Sequence, residues 1–238
     1  MTVAYIWFDL GYTLVYLERE AAYREFLLEQ GIERSLQAIE KAYHQTDKLF
    51  MRQYKGALGK DTDTFYPWYI GILNYSLNVH FDLVRQCRRL REIEAQQQSG
   101  WRAFPETLEV LGALKERSYG IGLISNWDLT ARSVLEENGL LPFFDQIVIS
   151  SEVGAVKPDE VIFRKALKLA GVSAGQSLYV GDNYYDDVIG SQRVGMESCL
   201  INRFGKLGIE EIGQVPTLSS IKELPQLLGA SPKKISRG

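Results

Sequence analysis

Tyr5-Ile6-Trp7-Phe8-Asp9-Leu10-Gly11-Tyr12-Thr13 is the stretch from which the fold can be read. Val3 to Phe8 is a continuous apolar run, the pattern of a strand buried on both faces. The run stops at a carboxylate, with Gly11 and the Thr13 hydroxyl just beyond. A charged group is costly to bury unless it is paired or holds a metal. An acid placed where a buried strand ends therefore marks a candidate site. A solvated turn residue or helix cap is the other reading of Asp9, and the remaining sequence argues against it.

From Trp101 onward, strand and helix patterns alternate. Pro105 and Glu106 suit a helix start, with Leu108, Leu111 and Leu114 as the expected buried stripe. Tyr119–Ile124 is a short apolar strand ending in Ser125-Asn126, and Asp128 can cap the next helix. Gln146–Ile149 is a strand leading to Lys157-Pro158-Asp159, and Val161–Ala170 is a helix. Ser177–Val180 is a strand ending in Gly181-Asp182, with Asp186 and Asp187 shortly after. Ser198–Ile201 and Leu218–Leu228 close the pattern as a strand and a strand remnant with a helix. Repeated strand–helix units with short connections predict an α/β fold, a doubly wound parallel sheet with helices on both faces.

The segment between these parts differs. Glu18–Gln30, Arg34–Lys55, Phe65–Asn78 and Asp82–Gln97 carry helical spacing, with Gly31 as a helix stop and Leu36, Ile39, Tyr43, Leu49 and Phe50 as one apolar stripe. A nearly all-helical insertion follows the first strand, in the manner of a lid. The expected division is residues 1–16 and 101–229 as an α/β core, 17–100 as a helical domain and 230–238 as a flexible tail. Arg85, Arg88, Arg89 and Arg91 read as a solvated helix face. Arg19, Tyr23 and Trp68 are candidate substrate contacts from the helical domain.

Composition sets the outer bounds. The chain has 238 residues, 45% hydrophobic and 24% charged, an ordinary globular balance. A net charge of -3 gives no reason to expect nucleic acid or an acidic membrane as partner. Cys87 and Cys199 lack metal-ligand spacing and read as buried thiols of a reducing compartment. With no membrane span and no signal-peptide pattern, a cytoplasmic location is expected, as a monomer or homodimer.

In parallel sheets, ligands bind beyond the C-terminal strand ends. Asp9, Ser125, Lys157, Asp182 and the pair Asp186/Asp187 all fall there. Several carboxylates around one point repel each other unless a hard cation neutralises them, and an all-oxygen donor set favours Mg²⁺. Asp9 could then attack phosphorus in line to give an aspartyl-phosphate. Lys157 would offset the spreading charge, and Thr13 and Ser125 would hold phosphate oxygens.

These residues carry a resemblance. The chain resembles the haloacid dehalogenase-like (HAD) hydrolase superfamily. Asp9-Leu10-Gly11-Tyr12-Thr13 is similar to its first motif and Ser125-Asn126 to its second. Lys157-Pro158-Asp159 is similar to the third, and Gly181-Asp182 with Asp187 to the fourth. The resemblance implies a Rossmann-like core with a type I helical cap inserted after the first strand. It also implies a phosphatase acting on a small phosphorylated metabolite. Asp9, Thr13, Ser125 and Lys157 would be catalytic, and Thr13, Ser125, Asn126 and Lys157 would bind phosphate. Asp9, the Gly11 carbonyl, Asp182 and Asp187 would hold Mg²⁺, with Asp186 capping the helix.

One departure stands out. Family phosphatases usually carry a second Asp two residues after the nucleophile, as acid and base. Here that residue is Gly11. Acid–base assistance is worth about 10²–10⁴-fold in rate, so replacing Gly11 by Asp is expected to raise phosphatase activity. Two other readings stay open: a metal-independent 2-haloacid dehalogenase, whose halide needs no proton, and a non-catalytic binder of phosphorylated ligands or of a protein. The acidic set Asp182, Asp186 and Asp187 favours the phosphatase.

Overall fold

The computed structural model describes residues 3–59, 62–97 and 100–229, so the tail expected at 230–238 lies outside the described residues. The chain divides into two compact units. One comprises Met1–Tyr16, Trp101–Lys206 and Glu211–Gly238; the other comprises Leu17–Gly100 with Leu207–Glu210.

The first unit is an α/β doubly wound sheet. Its strands are β1 (Tyr5–Phe8), β4 (Gly120–Ser125), β5 (Gln146–Ile149), β6 (Ser177–Gly181), β7 (Glu197–Ile201) and β8 (Thr217–Leu218). They lie in the order β5-β4-β1-β6-β7-β8, and every pairing is parallel. The chain steps outward from β1 to β4 and β5, then returns to the other side of β1 with β6. The direction of winding thus reverses between β1 and β6, where such sheets form their crevice. A short antiparallel pair, β2 (Val15–Tyr16) with β3 (Arg102–Ala103), is an element the sequence pattern does not predict.

Successive side chains of β1 leave on opposite faces. Ile6 and Phe8 join Val110, Leu111, Leu114, Val134, Leu135 and Leu224 in one core. Three helices supply those partners: α5 (Thr107–Glu116), α6 (Ala131–Glu137) and α10 (Leu224–Gly229). On the other face Tyr5 and Trp7 pack with Ile162, Phe163 and Ala166 of α8 (Glu160–Ala170). The two rings lie across Gly120 and Gly122, their register partners on β4. A Cβ at Gly122 would fall 2.3 Å from the Trp7 ring. The glycines are therefore what lets β1 carry large aromatics in a central strand. One stripe differs from its expectation: Leu108 is exposed, and α5 buries Thr107, Val110, Leu111 and Leu114 instead. The buried face follows the i, i+3, i+4, i+7 spacing from Thr107, which leaves Leu108 beside it.

The second unit packs α1 (Arg19–Glu29), α2 (Leu36–Gln53), α3 (Thr62–Ser76) and α4 (Leu83–Gln96) around Tyr23, Phe26, Leu27, Ile39, Tyr43, Phe50, Ile70, Leu73 and Leu90. Ser35 caps α2 through Ala38 N, and Asp82 caps α4 through Arg85 N. Leu36, expected in the buried stripe, is exposed because it is the first residue after the Ser35 cap. Segment Leu207–Glu210 joins this unit: the Leu207 carbonyl bonds His44 Nε2 at 3.0 Å. Arg19 and Tyr23 are occupied inside it. Arg19 pairs with Asp47 and lies 4.5 Å from the Tyr43 ring centre, while the Tyr23 hydroxyl donates to Asn74 at 2.6 Å. Tyr23 is buried, Arg19 is partly buried and Trp68 is exposed. In the arginine cluster, Arg89 pairs with Glu29 and Glu92. Cys87 and Cys199 are buried free thiols. Among the described residues no helix is long and apolar enough to cross a membrane.

Candidate active site

Each expected residue of the α/β unit sits at or just past a strand end. Asp9 follows β1, its amide continuing the ladder to Val180 O at 2.9 Å. Ser125 ends β4, and its hydroxyl donates to Asp9 Oδ1 at 3.0 Å. Lys157 lies beyond β5 and the short helix α7 (Ser150–Val153). Its ammonium is buried and donates three times: to Asp9 Oδ1 at 2.7 Å, Asp187 Oδ1 at 2.6 Å and the Tyr179 hydroxyl at 2.9 Å. All three of its protons are thereby used. Among the described residues, both side-chain contacts of Asp9 fall on Oδ1 and none on Oδ2, so the carboxylate is held there by one oxygen.

Asp182 and Asp187 complete the cluster. Ligand oxygens of Asp9, Asp182 and Asp187 lie within 4.8 Å of one another, and all three residues are buried. Asp187 arrives there through a turn of π-helix, Tyr184–Val188, ahead of α9 (Ile189–Arg193). Such turns recur at functional sites. Asn183, not Asp186, caps this turn, accepting from the Tyr185 and Asp186 amides. Asp186 instead accepts from Asn183 Nδ2 at 2.9 Å. The second oxygen of Asp187 accepts from Asn183 N at 2.9 Å. A Cβ on Gly181 would lie 2.2 Å from that same oxygen, so only glycine permits this close return of the chain.

Three carboxylates face one ammonium, and the imbalance shapes the titration of Asp187 and Lys157. Burial pushes Asp187 up to about 7; Lys157 pulls it down, while Asp9 and Asp182 push it further up. Burial opposes the charge on Lys157, but Asp187 and Asp9 outweigh it and hold the ammonium well above its ordinary range. The surplus of negative charge, built only from oxygen donors, suits a hard divalent cation.

Two predicted residues take different parts. The Asn126 amide clamps the Lys157 backbone, donating to its carbonyl at 3.0 Å and accepting from its N–H at 2.7 Å. It positions the lysine loop and keeps a second N–H of its amide for a ligand. Thr13 is buried, and its hydroxyl has no hydrogen-bond partner among the described residues. An unsatisfied buried hydroxyl costs about 1–3 kcal/mol, a cost that an incoming oxyanion would relieve. The aspartate substitution expected to help at Gly11 meets a tight neighbour: a Cβ there would lie 3.1 Å from the Trp127 ring, which must give by a few tenths of an ångström, and 3.6 Å from that of Trp101.

Tyr179 is a residue that the sequence reading missed. Its hydroxyl accepts from Lys157 and donates to Ile124 O at 2.7 Å, tying the ammonium to β4. The signal was present, since a tyrosine in a doubly buried strand needs a partner for its hydroxyl.

A haloacid dehalogenase-like hydrolase family model matches residues 8–201. The chain belongs to that family. Pyrimidine 5'-nucleotidase YjjG of Escherichia coli (strain K12) is 37% identical over 127 residues, covering 52% of this chain and 56% of that protein. Glyceraldehyde 3-phosphate phosphatase of Methanothermobacter thermautotrophicus is 36% identical over 107 residues, 42% of this chain and 45% of that one. The chain thus spans about half the length of the curated relatives it matches. A crystal structure of a HAD phosphatase from Thermococcus onnurineus superposes with a TM-score of 0.60 at 22% identity, covering 96% and 98% of the two chains. At that identity the likeness speaks to the fold alone.

Proposed function

We propose that this protein is a Mg²⁺-dependent phosphatase of small phosphorylated metabolites, acting through an aspartyl-phosphate on Asp9. The observation that carries the reading is the buried convergence of Asp9, Lys157, Asp182 and Asp187 at the point where the sheet's winding reverses. Similarity to two proteins named for hydrolysis of phosphate esters supports it. Asp9, Asp182, Asp187 and the Gly11 carbonyl would hold the ion, which when bound supplies positive charge beside the phosphoryl oxygens. Asp9 Oδ2 attacks phosphorus, while Ser125 and Lys157 hold Oδ1 and so fix the attack direction. Lys157, anchored by Tyr179, Asp187 and the Asn126 clamp, steadies the charge that spreads over the transferred group. The Thr13 hydroxyl donates to a phosphoryl oxygen. The helical domain of residues 17–100 would choose the substrate.

The test is hydrolysis of an aryl phosphate with Mg²⁺ and with EDTA, using the wild type and Asp9→Asn. Turnover that needs Mg²⁺ and is lost in a folded Asp9→Asn supports the reading. Undiminished turnover in that variant would end the covalent mechanism. Silence with phosphates, together with halide release from 2-chloropropionate, would make the protein a dehalogenase.

A further inference from the structure

The strand-end turn that presents Asp9 is backed by an aromatic wall. Leu10 turns its side chain into the core, so positions 9 and 11 on either side of it face the crevice. The space off residue 11 is filled by Trp127 and Trp101, whose rings meet edge-on with centres 4.7 Å apart. Tyr12, held at a positive φ of 52°, packs edge-on against Trp101 at 5.4 Å. The wall is also locked from behind. Trp127 Nε1 donates to Thr130 Oγ1 at 3.0 Å, and that hydroxyl donates to Asp128 at 2.5 Å. Trp127 N donates to Ser150 Oγ at 3.0 Å, and the same hydroxyl donates to Trp127 O at 3.1 Å. Asn138 Nδ2 holds the Trp101 carbonyl at 3.0 Å. This much fixation is more than a gap left by glycine would require.

We infer that the Trp101–Trp127 pair is a specificity determinant, and that it restricts the enzyme to phosphates whose leaving group departs as a stable anion. Acyl phosphates and aryl phosphates belong to that class; simple alkyl esters do not. The inference rests on the phosphatase reading above. The indole pair offers no proton to the departing oxygen, because the Trp127 N–H is already spent on Thr130. In the first step, the bond from Asp9 Oδ2 to phosphorus forms and the bond from phosphorus to the leaving oxygen breaks. That oxygen takes the electron pair away as carboxylate or phenolate, with no proton needed. Water then attacks phosphorus and Asp9 leaves as carboxylate. One proton of the water stays on the phosphate and the other passes to bulk solvent. An alkoxide leaving group would have to be protonated, and acid assistance of that kind is worth about 10²–10⁴-fold.

The experiment compares kcat/KM of the wild type for acetyl phosphate, p-nitrophenyl phosphate, phenyl phosphate and an alkyl phosphate. Rates should fall along that series, with the alkyl ester at least about 100-fold below acetyl phosphate. Gly11→Asp alone should give no gain on the alkyl ester. Gly11→Asp with Trp127→Ala, which opens the slot, should raise the ratio of alkyl-ester to acetyl phosphate kcat/KM at least about 10-fold over that of the wild type. Alkyl turnover within about 10-fold of acetyl phosphate in the wild type would overturn the inference and leave the phosphatase reading standing. A gain from Gly11→Asp alone equal to that of the double variant would remove the wall from the account. Silence on every phosphate would overturn both readings. If the double variant does not fold, the wild-type series decides.

Discussion

Lys157→Met keeps the length of the buried stem and deletes the ammonium. Two buried carboxylates, Asp9 and Asp187, then lose the partner that sits 2.7 and 2.6 Å from them. Breaking a buried ion pair by removing one member costs about 3–5 kcal/mol, because a charge stays behind uncompensated. The loss depends on pH in a defined direction. Asp187 is already pushed up to about 7 by burial with Lys157 in place, and removing the ammonium raises it further. As pH falls, Asp187 takes up its proton and no longer needs a cation. The gap between wild type and variant should therefore be about 3–5 kcal/mol at pH 7.5 and narrow as pH falls below about 7. Urea unfolding in EDTA at several pH values measures it. Adding Asp187→Asn to Lys157→Met should restore about half of the lost stability or more at pH 7.5. A cost under about 1 kcal/mol at pH 7.5, or one independent of pH, would refute the reasoning.

The same excess charge predicts how the wild type responds to pH and metal. The folded state holds the Asp187 proton more tightly than the unfolded chain, so in EDTA stability should decline as pH rises from about 4 through about 7. The contribution is on the order of 4 kcal/mol at most. Mg²⁺ should then raise the melting temperature more at pH 7.5 than at pH 5.5, and equal shifts at both would sink the proposed site. Gly122→Ala places a methyl group 2.3 Å from the Trp7 ring and should cost about 1–3 kcal/mol in chemical denaturation, whereas no loss would mean Trp7 can slide aside freely.

Much of this molecule could be read in the sequence because its strands are buried on both faces. The apolar runs before Asp9, Ser125 and Asp182 are uniform, so their ends, and the groups placed there, were visible without coordinates. The face of a helix was harder to place. In α5, Leu108, Leu111 and Leu114 looked like the stripe, but the i, i+3, i+4, i+7 face runs through Thr107 and Val110 and leaves Leu108 out. The pair β2–β3 is only two residues on each side and carries no periodic signal. Within the site, types and spacing revealed Asp9, Lys157 and Asp187 but not the job of each hydrogen-bonding group. The second motif marked Asn126 as a ligand for phosphate, but nothing in its type or spacing showed that its amide also clamps the Lys157 main chain. Trp127 gave no sign at all. Its role depends on a contact with Gly11 from which it is remote in sequence, and no local pattern encodes a contact of that kind.

The segment Leu207–Glu210 has a consequence for the order in which the protein can be built. The helical unit is not one uninterrupted piece of chain, because its last portion is synthesised only after β7 of the other unit. Helix α2 emerges first, with His44 awaiting the Leu207 carbonyl and Lys48 awaiting the turn at Gly208. Cutting out residues 17–100 as an independent fragment would leave that seam open. The helical unit thus reaches its finished form only once Leu207–Glu210 have left the ribosome, so the insertion is not a module that matures ahead of the domain it interrupts.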